Sequence, residues 1–315
     1  MDISVVIPLY NEEESLPELH RRLTETLTGM GVSYEMVFVD DGSTDRSFKA
    51  LEALHEKDPE HVSAYSFGRN YGKSAALDTG FKRARGQYVV TMDADLQDEP
   101  AEIPGMIRML ADGADLVTGW KFPRLDPITK RLPSKVINWL TASLTGVRVH
   151  DMNCGLKAYR REVLQGLNLY GEQHRFIPAL VQARGFRVEE TKVTHHPRKF
   201  GKTKFGAKRF VQGIFDLTTV LFLTRYIRKP LHFFGVAGLA LLLAGGGIMA
   251  YLIAGWFMGR WIGDRPLFML SVLMMIIGMQ FISTGLLGEM LTSLTHHRES
   301  GHVRRTLGAR EGHDR

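Results

Sequence analysis

The chain has 315 residues, 44% of them apolar and 23% charged, with a formal net charge of +6 and a single cysteine. That length accommodates one sizeable domain and an appendage, and one cysteine excludes an internal disulfide and suits a reducing compartment. Neither the apolar residues nor the charges are spread evenly.

Met1-Asp2-Ile3-Ser4 passes straight into an apolar run with no basic leader, which reads as the absence of a signal peptide. Ile3 to Pro8 reads as a strand, and Ser15 to Leu27 as a helix with Leu16, Leu19, Leu23 and Leu27 on one face. A second strand spans Glu35 to Val39. The next helix carries Phe48, Leu51 and Leu54 and is expected to start at a cap formed by Ser43 or Thr44. Ser63 to Phe67 is a weaker strand, followed by a helix from Lys73 to Ala84. Gln87 to Met92 reads as a buried strand, Pro100 opens a helix running to Leu110, and Ala114 to Thr118 forms one more strand. Such alternation predicts an α/β fold, a Rossmann-like and mostly parallel sheet with helices on both faces. After Gly119 the pattern loosens. Lys130 to Leu144 looks helical and Arg187 to Thr194 extended. Phe205 to Leu223 reads as an interfacial helix or helix pair lying along a membrane, the alternative being an ordinary packed helix.

From Leu231 to Phe257 the only ionisable side chain other than Tyr251 is His232, and from Leu267 to Gly288 there is no charge. Each run exceeds the roughly 20 residues that cross a hydrocarbon layer about 30 Å thick, which predicts two membrane-spanning helices. Gly255 and Gly259 form a G-x-x-x-G near the end of the first, a spacing that also arises by chance in such segments. The connection from Met258 to Pro266 is short, so the flanking parts are expected on one side. Arg225, Arg228 and Lys229 before the first span, with Arg298, Arg304 and Arg305 after the second, place that side in the cytoplasm. Between Arg198 and Lys229 nine basic residues face one acid, Asp216. Beside a membrane span this patch points to anionic lipid headgroups rather than nucleic acid.

The chemistry is concentrated at strand ends. Asp93-Ala94-Asp95 follows the strand from Gln87, and two carboxylates one residue apart at that position suit a hard divalent cation such as Mg²⁺ or Mn²⁺. Open α/β sheets bind ligands at the carboxyl ends of their strands. Asp40 and Asp41 end the second strand and can accept hydrogen bonds from ribose hydroxyls or a base N–H, while Asp-Gly-Ser also makes a good turn. With the loop Pro8 to Glu13, three such loops at one edge favour a nucleotide with a metal on its diphosphate. Gly68-Arg69-Asn70-Tyr71-Gly72-Lys73-Ser74 has three residues between its glycines where a phosphate-binding P-loop has four. A P-loop ATPase is therefore rejected, although Lys73 can still reach a donor phosphate or a carboxylate.

Taken together, Val6 to Glu13, Val39 to Asp45, Arg69 to Lys73, Met92 to Asp98, Asp151 to Gly155 and Arg198 to Phe205 resemble the inverting family 2 glycosyltransferases with the GT-A fold. The set is most similar to the polyprenyl-phosphate glycosyltransferases, and the resemblance covers about residues 3 to 290. It implies that Pro8, Tyr10, Glu12, Asp40, Asp41, Lys73, Asp93 and Ala94 bind the nucleotide. It further implies that Asp93, Asp95 and Gln97 hold the metal and diphosphate, and that Asp151, with Asp95, forms the catalytic centre. Arg131 and Ser134 match the acceptor-phosphate region, and Arg198, Lys202 and Lys204 the basic loop that closes over the donor. Lys121 stands where the family often has an arginine, which keeps the charge but loses the two-pronged fork. The domains implied are a catalytic GT-A domain over 1–197, a basic juxtamembrane segment over 198–229, a transmembrane hairpin over 230–291 and a polar tail over 292–315.

The expected activity is inverting transfer of one sugar from a nucleotide sugar, UDP-glucose being favoured, to polyprenyl (undecaprenyl) phosphate at a bacterial cytoplasmic membrane. Self-association follows from the resemblance as a further expectation. A processive polysaccharide synthase would need more spans and a Gln-x-x-Arg-Trp motif, which the chain lacks. A non-catalytic nucleotide-sugar sensor or membrane scaffold is the competing reading, against which the intact Asp93, Asp95 and Asp151 stand.

Overall fold

The computed structural model describes residues 1–122, 147, 149–197, 230–259, 261–262 and 266–295. The first apolar runs form strands buried along their whole length, β1 (Ile3–Leu9) and β2 (Tyr34–Asp40). Between them α1 (Leu16–Gly29) buries the expected leucines, Leu16, Leu19, Leu23 and Leu27, each worth about 1.5–3 kcal/mol when fully removed from water. There follow α2 (Ser47–Lys57), β3 (Val62–Ser66), α3 (Lys73–Arg83) and β4 (Tyr88–Thr91). A 3₁₀ turn over Pro100–Glu102 leads into α4 (Ile103–Ala111), then β5 (Leu116–Lys121). After the undescribed segment come β6 (Lys157–Arg160), α5 (Arg161–Leu164), a 3₁₀ turn over Gln173–Phe176, α6 (Ile177–Ala183) and β7 (Val188–Val193).

The strands make one seven-stranded sheet in the order β3-β2-β1-β4-β6-β5-β7. Its pairs are parallel except those of β6, which runs against both β4 and β5. Leu16, Leu51, Ile103 and Met106 join the core on one face; Leu77, Phe81, Ile177 and Val181 fill the other. Because β1, β2 and β4 are parallel neighbours, the loops that follow them emerge at one rim.

The start of α2 departs from expectation. It begins at Ser47 and not at a Ser43 or Thr44 cap. The Ser43 hydroxyl instead accepts the Asn11 N–H at 2.8 Å, and the Thr44 N–H donates to Asn11 Oδ1 at 2.8 Å. These groups tie two rim loops together, while Asp45 Oδ1 receives the Ser47 N–H at 2.9 Å.

The chain divides into two units, Met1–Leu221 and Phe222–Arg315. In the second, α7 (Pro230–Phe257) and α8 (Pro266–Thr295) form an antiparallel hairpin. Their apolar windows are only 17% and 11% buried, whereas a soluble core helix would be mostly covered. Gly259 lies past the end of α7 at φ +80°, so the G-x-x-x-G does not make the helix contact. Gly238 and Gly278 make it: a Cβ on either would fall 2.6–2.7 Å from the other's carbonyl oxygen. Glu289 accepts the Leu231 N–H at 3.3 Å, satisfying a donor of the first turn of α7. The helices expected over Lys130–Leu144 and Phe205–Leu223 lie outside the described residues, as do the junctions of the juxtamembrane segment.

Candidate active site

The three rim loops are joined by specific bonds. Asp41 is 5% exposed, and its carboxylate accepts the N–H groups of Tyr71 at 2.7 Å and Gly72 at 2.9 Å. Burial raises its pKa against those bonds. Gly72, at φ +95°, turns the chain into α3. The first residue of that helix is Lys73, whose ammonium pairs with Asp93 Oδ1. Asp40 lies deeper, 1% exposed. One oxygen receives the Ser43 N–H at 2.9 Å within the turn, and the other receives the Ser66 hydroxyl at 2.7 Å from the end of β3.

Asp93 sits against the backbone of Gly155, where a Cβ would lie 2.6 Å from its Oδ2. Burial pushes its pKa up, but Lys73, supported by Lys121 and Lys157, holds it down at about 2. Asp95 is 7% exposed and Ala94 3%. Asp95 Oδ1 accepts the Gln97 N–H at 3.2 Å. That fold-back passes through Leu96 at φ +59°, a left-handed conformation costly for leucine. Gln97 donates its amide to the His196 carbonyl at 3.4 Å, and the His196 N–H returns to Gln97 O at 2.9 Å. The chain leading to Arg198 is thus fastened to the Asp95–Asp98 loop.

Sequence reasoning missed Asp98 as a member of this group. It is 2% exposed, and its carboxylate faces the Lys121 ammonium at 3.6 Å. Burial raises the pKa of Asp98. Burial also acts to lower that of Lys121, but Asp98, Asp93 and Asp151 outweigh it and raise it. Lys157 was missed too: 3% exposed, it donates to the Cys154 carbonyl, and burial lowers its pKa. Asp98 closes the Met92–Asp98 motif and Lys157 lies in none of the motifs, but in both cases only burial sets the group apart from an ordinary surface charge. Cys154 is inert as a nucleophile, its thiol pushed up to about 12 by burial.

Asp151 is 4% exposed, and its Oδ1 accepts the Asn153 N–H at 3.2 Å. Pro8 is buried in β1, and the Glu12 carboxylate accepts the Ser15 hydroxyl at 3.3 Å; Tyr10 is partly exposed just past β1. Arg131, Ser134, Arg198, Lys202 and Lys204 lie outside the described residues.

The donors suit a hard cation. Asp93 and Asp95 offer oxygen at the rim, Asp93 is kept ionised, and the bare Gly155 leaves room for its carboxylate. Among the described residues no three His, Cys, Asp or Glu side chains form a closed cage. Mg²⁺ is characteristically held by one or two carboxylates and completed by substrate phosphates and water.

Comparison with known proteins decides the family. Residues 4–167 match Glycosyl transferase family 2. The dodecaprenyl-phosphate galacturonate synthase of Rhizobium johnstonii is 37% identical over 304 residues, 95% of this chain and 90% of that protein. The chain belongs to glycosyltransferase family 2. A second family relative, the undecaprenyl-phosphate 4-deoxy-4-formamido-L-arabinose transferase of Pseudomonas aeruginosa, is 39% identical over 92% of this chain and 84% of its own. Glucosyl-3-phosphoglycerate synthase of Mycobacterium tuberculosis, solved with Mn²⁺ and UDP-glucose, superposes with a TM-score of 0.53 at 20% identity, covering 71% of this chain and 78% of that one. Its complex with Mg²⁺ and UDP gives a TM-score of 0.55 at 18% identity, covering 70% and 79%. The GT-A fold expected from the motifs is therefore present in this family 2 chain.

Proposed function

We propose that the protein transfers one sugar from a nucleotide diphosphate sugar to polyprenyl phosphate, with undecaprenyl phosphate as the carrier, at the cytoplasmic face of a bacterial inner membrane. The observation that carries this reading is the charged rim where Asp93 and Asp95 end β4 beside Lys73 and Lys121. Relatives named for polyprenyl-phosphate transfer align with more than nine tenths of the chain, and two apolar helices keep it where such a lipid resides.

An acceptor phosphate is already anionic near neutral pH, so the site must align its oxygen with the sugar C1 and stabilise the departing diphosphate. The acceptor oxygen forms its bond to C1 as the bond from C1 to the diphosphate oxygen breaks, and the nucleoside diphosphate leaves. In-line attack turns an α-linked donor into a β-linked lipid phosphosugar. A divalent cation on Asp93 and Asp95, with Gln97 beside them, supplies Lewis-acid neutralisation of the leaving group when bound. Pro8, Tyr10, Glu12 and Asp41 bind the nucleoside, while Lys73 exchanges Asp93 for a donor phosphate. Lys121, Arg131, Ser134 and the basic residues Arg198, Lys202 and Lys204 hold the acceptor phosphate and close over the donor. Asp151 orients the acceptor or favours positive charge developing on the sugar.

UDP-glucose remains the favoured donor, and the relatives add uronic acid and formamido-pentose nucleotides to those worth testing. Purified full-length protein is incubated with each nucleotide sugar, Mg²⁺ or Mn²⁺ and a short polyprenyl phosphate, and products are read by mass spectrometry. One donor should give a product with the mass of a lipid phosphosugar. Nucleotide binding without any glycolipid would instead identify a sensor.

A further inference from the structure

We propose that Glu190 is the positioning residue for Asp151. This rests on the reading of Asp151 as part of the catalytic centre.

Glu190 lies on β7, the edge strand of the sheet, where it pairs in register with Thr118 of β5. A carboxylate on an edge strand ordinarily faces water. This one is turned inward, its side chain 11% exposed. Its Oε1 accepts two consecutive backbone N–H groups, those of His150 at 2.8 Å and Asp151 at 2.9 Å. Its Oε2 meets His150 Nδ1 at 2.7 Å. The imidazole in turn stacks on Trp120, ring centroids 4.1 Å apart and planes 11° from parallel. Lys192, two residues along β7, lies 5.4 Å from the Trp120 ring centre.

Residues 150 and 151 belong to no helix or strand, so no ladder of their own holds them. The staple from Glu190 replaces it with two charge-assisted hydrogen bonds, each about twice as strong as a neutral one. It fixes the peptide plane that precedes the Asp151 side chain, and with it the direction in which that carboxylate leaves the backbone. Asp151 contributes to the potential at both Lys121 and Lys157, so its direction sets where negative charge stands beneath the rim. Nothing in Val188-Glu189-Glu190-Thr191-Lys192-Val193 distinguishes one glutamate from the other; only the fold does. Glu189 pairs with Arg187 instead.

The test uses purified full-length protein, the nucleotide sugar that yields glycolipid in the donor screen, and a short polyprenyl phosphate. Turnover, KM for each substrate and thermal unfolding are measured for Glu190→Ala, Glu190→Gln, Asp151→Asn and the double variant Glu190→Ala/Asp151→Asn. Misplacement of a reacting group by about 1 Å costs about 10²-fold, so Glu190→Ala should lose about that much kcat with donor KM nearly unchanged. Glu190→Gln keeps an oxygen that can accept both N–H groups and should recover most of the loss. In the Asp151→Asn background, removing Glu190 should cost nothing further, as coupled residues are non-additive. Unchanged kcat in Glu190→Ala, no recovery in Glu190→Gln, or multiplying losses in the double variant would overturn the assignment while leaving Asp151 in place. Wild-type turnover in Asp151→Asn would remove Asp151 from the centre, and Glu190 with it.

Discussion

Gly155 shows how a residue without a side chain can shape a charged site. Its Cα borders the Asp93 carboxylate so closely that a methyl group would overlap Oδ2, Cγ and Oδ1 at 2.6, 2.7 and 2.9 Å. Gly155→Ala should therefore displace Asp93 and lower turnover by about 10²-fold, with a melting temperature close to wild type. Full activity in that variant would show that Asp93 tolerates displacement. His174 works through burial. Its ring Nδ1 meets the Ser74 hydroxyl at 3.0 Å, and the backbone N–H of His174 donates to the same oxygen at 3.1 Å. Burial, then the Lys73 charge, lowers its pKa to about 2 from an ordinary 6.5. Between those values the unfolded chain binds a proton that the folded one refuses, so stability is fully present above pH 6.5 and is lost as pH falls below it. The loss is at most about 1.4 kcal/mol per pH unit. Thermal unfolding from pH 7 to 5 should fall less steeply in His174→Asn; equal slopes would contradict the assignment.

Element boundaries show what a sequence can and cannot convey. The leucine stripe of α1 and the buried strands β1 and β2 were legible because period and burial coincide. The start of α2 was not, since Ser43 and Thr44 look like caps but spend their polar groups on Asn11. β6 escaped notice because four residues, Lys157 to Arg160, give too short a pattern, and Lys157 puts a charge in the core. The two apolar helices were plain from composition, yet their contact was not: glycines forty positions apart, Gly238 and Gly278, meet only once the hairpin closes. Gly278→Leu should force the helices apart and destabilise the hairpin by about 1–3 kcal/mol, the usual cost of overpacking. Unfolding in detergent reports this, and an unchanged midpoint would place the contact elsewhere.

At the scale of the molecule, the acidic residues at strand ends were legible because hard-cation chemistry needs carboxylates in a narrow arrangement. Lys121 was legible from the resemblance, but its partner Asp98 and the buried Lys157 were not, because those two acquire meaning only from burial. The whole account depends on a divalent cation at Asp93 and Asp95 enabling sugar transfer to a membrane lipid. The most direct measurement is glycolipid formation by the full-length protein and by Asp95→Asn, each with Mn²⁺ and with excess chelator. The account predicts metal-dependent product from the wild type and a loss of at least about 10²-fold in the variant, matching several kcal/mol of charge stabilisation, with membrane insertion unchanged. Comparable turnover in Asp95→Asn, or undiminished product in chelator, would contradict it.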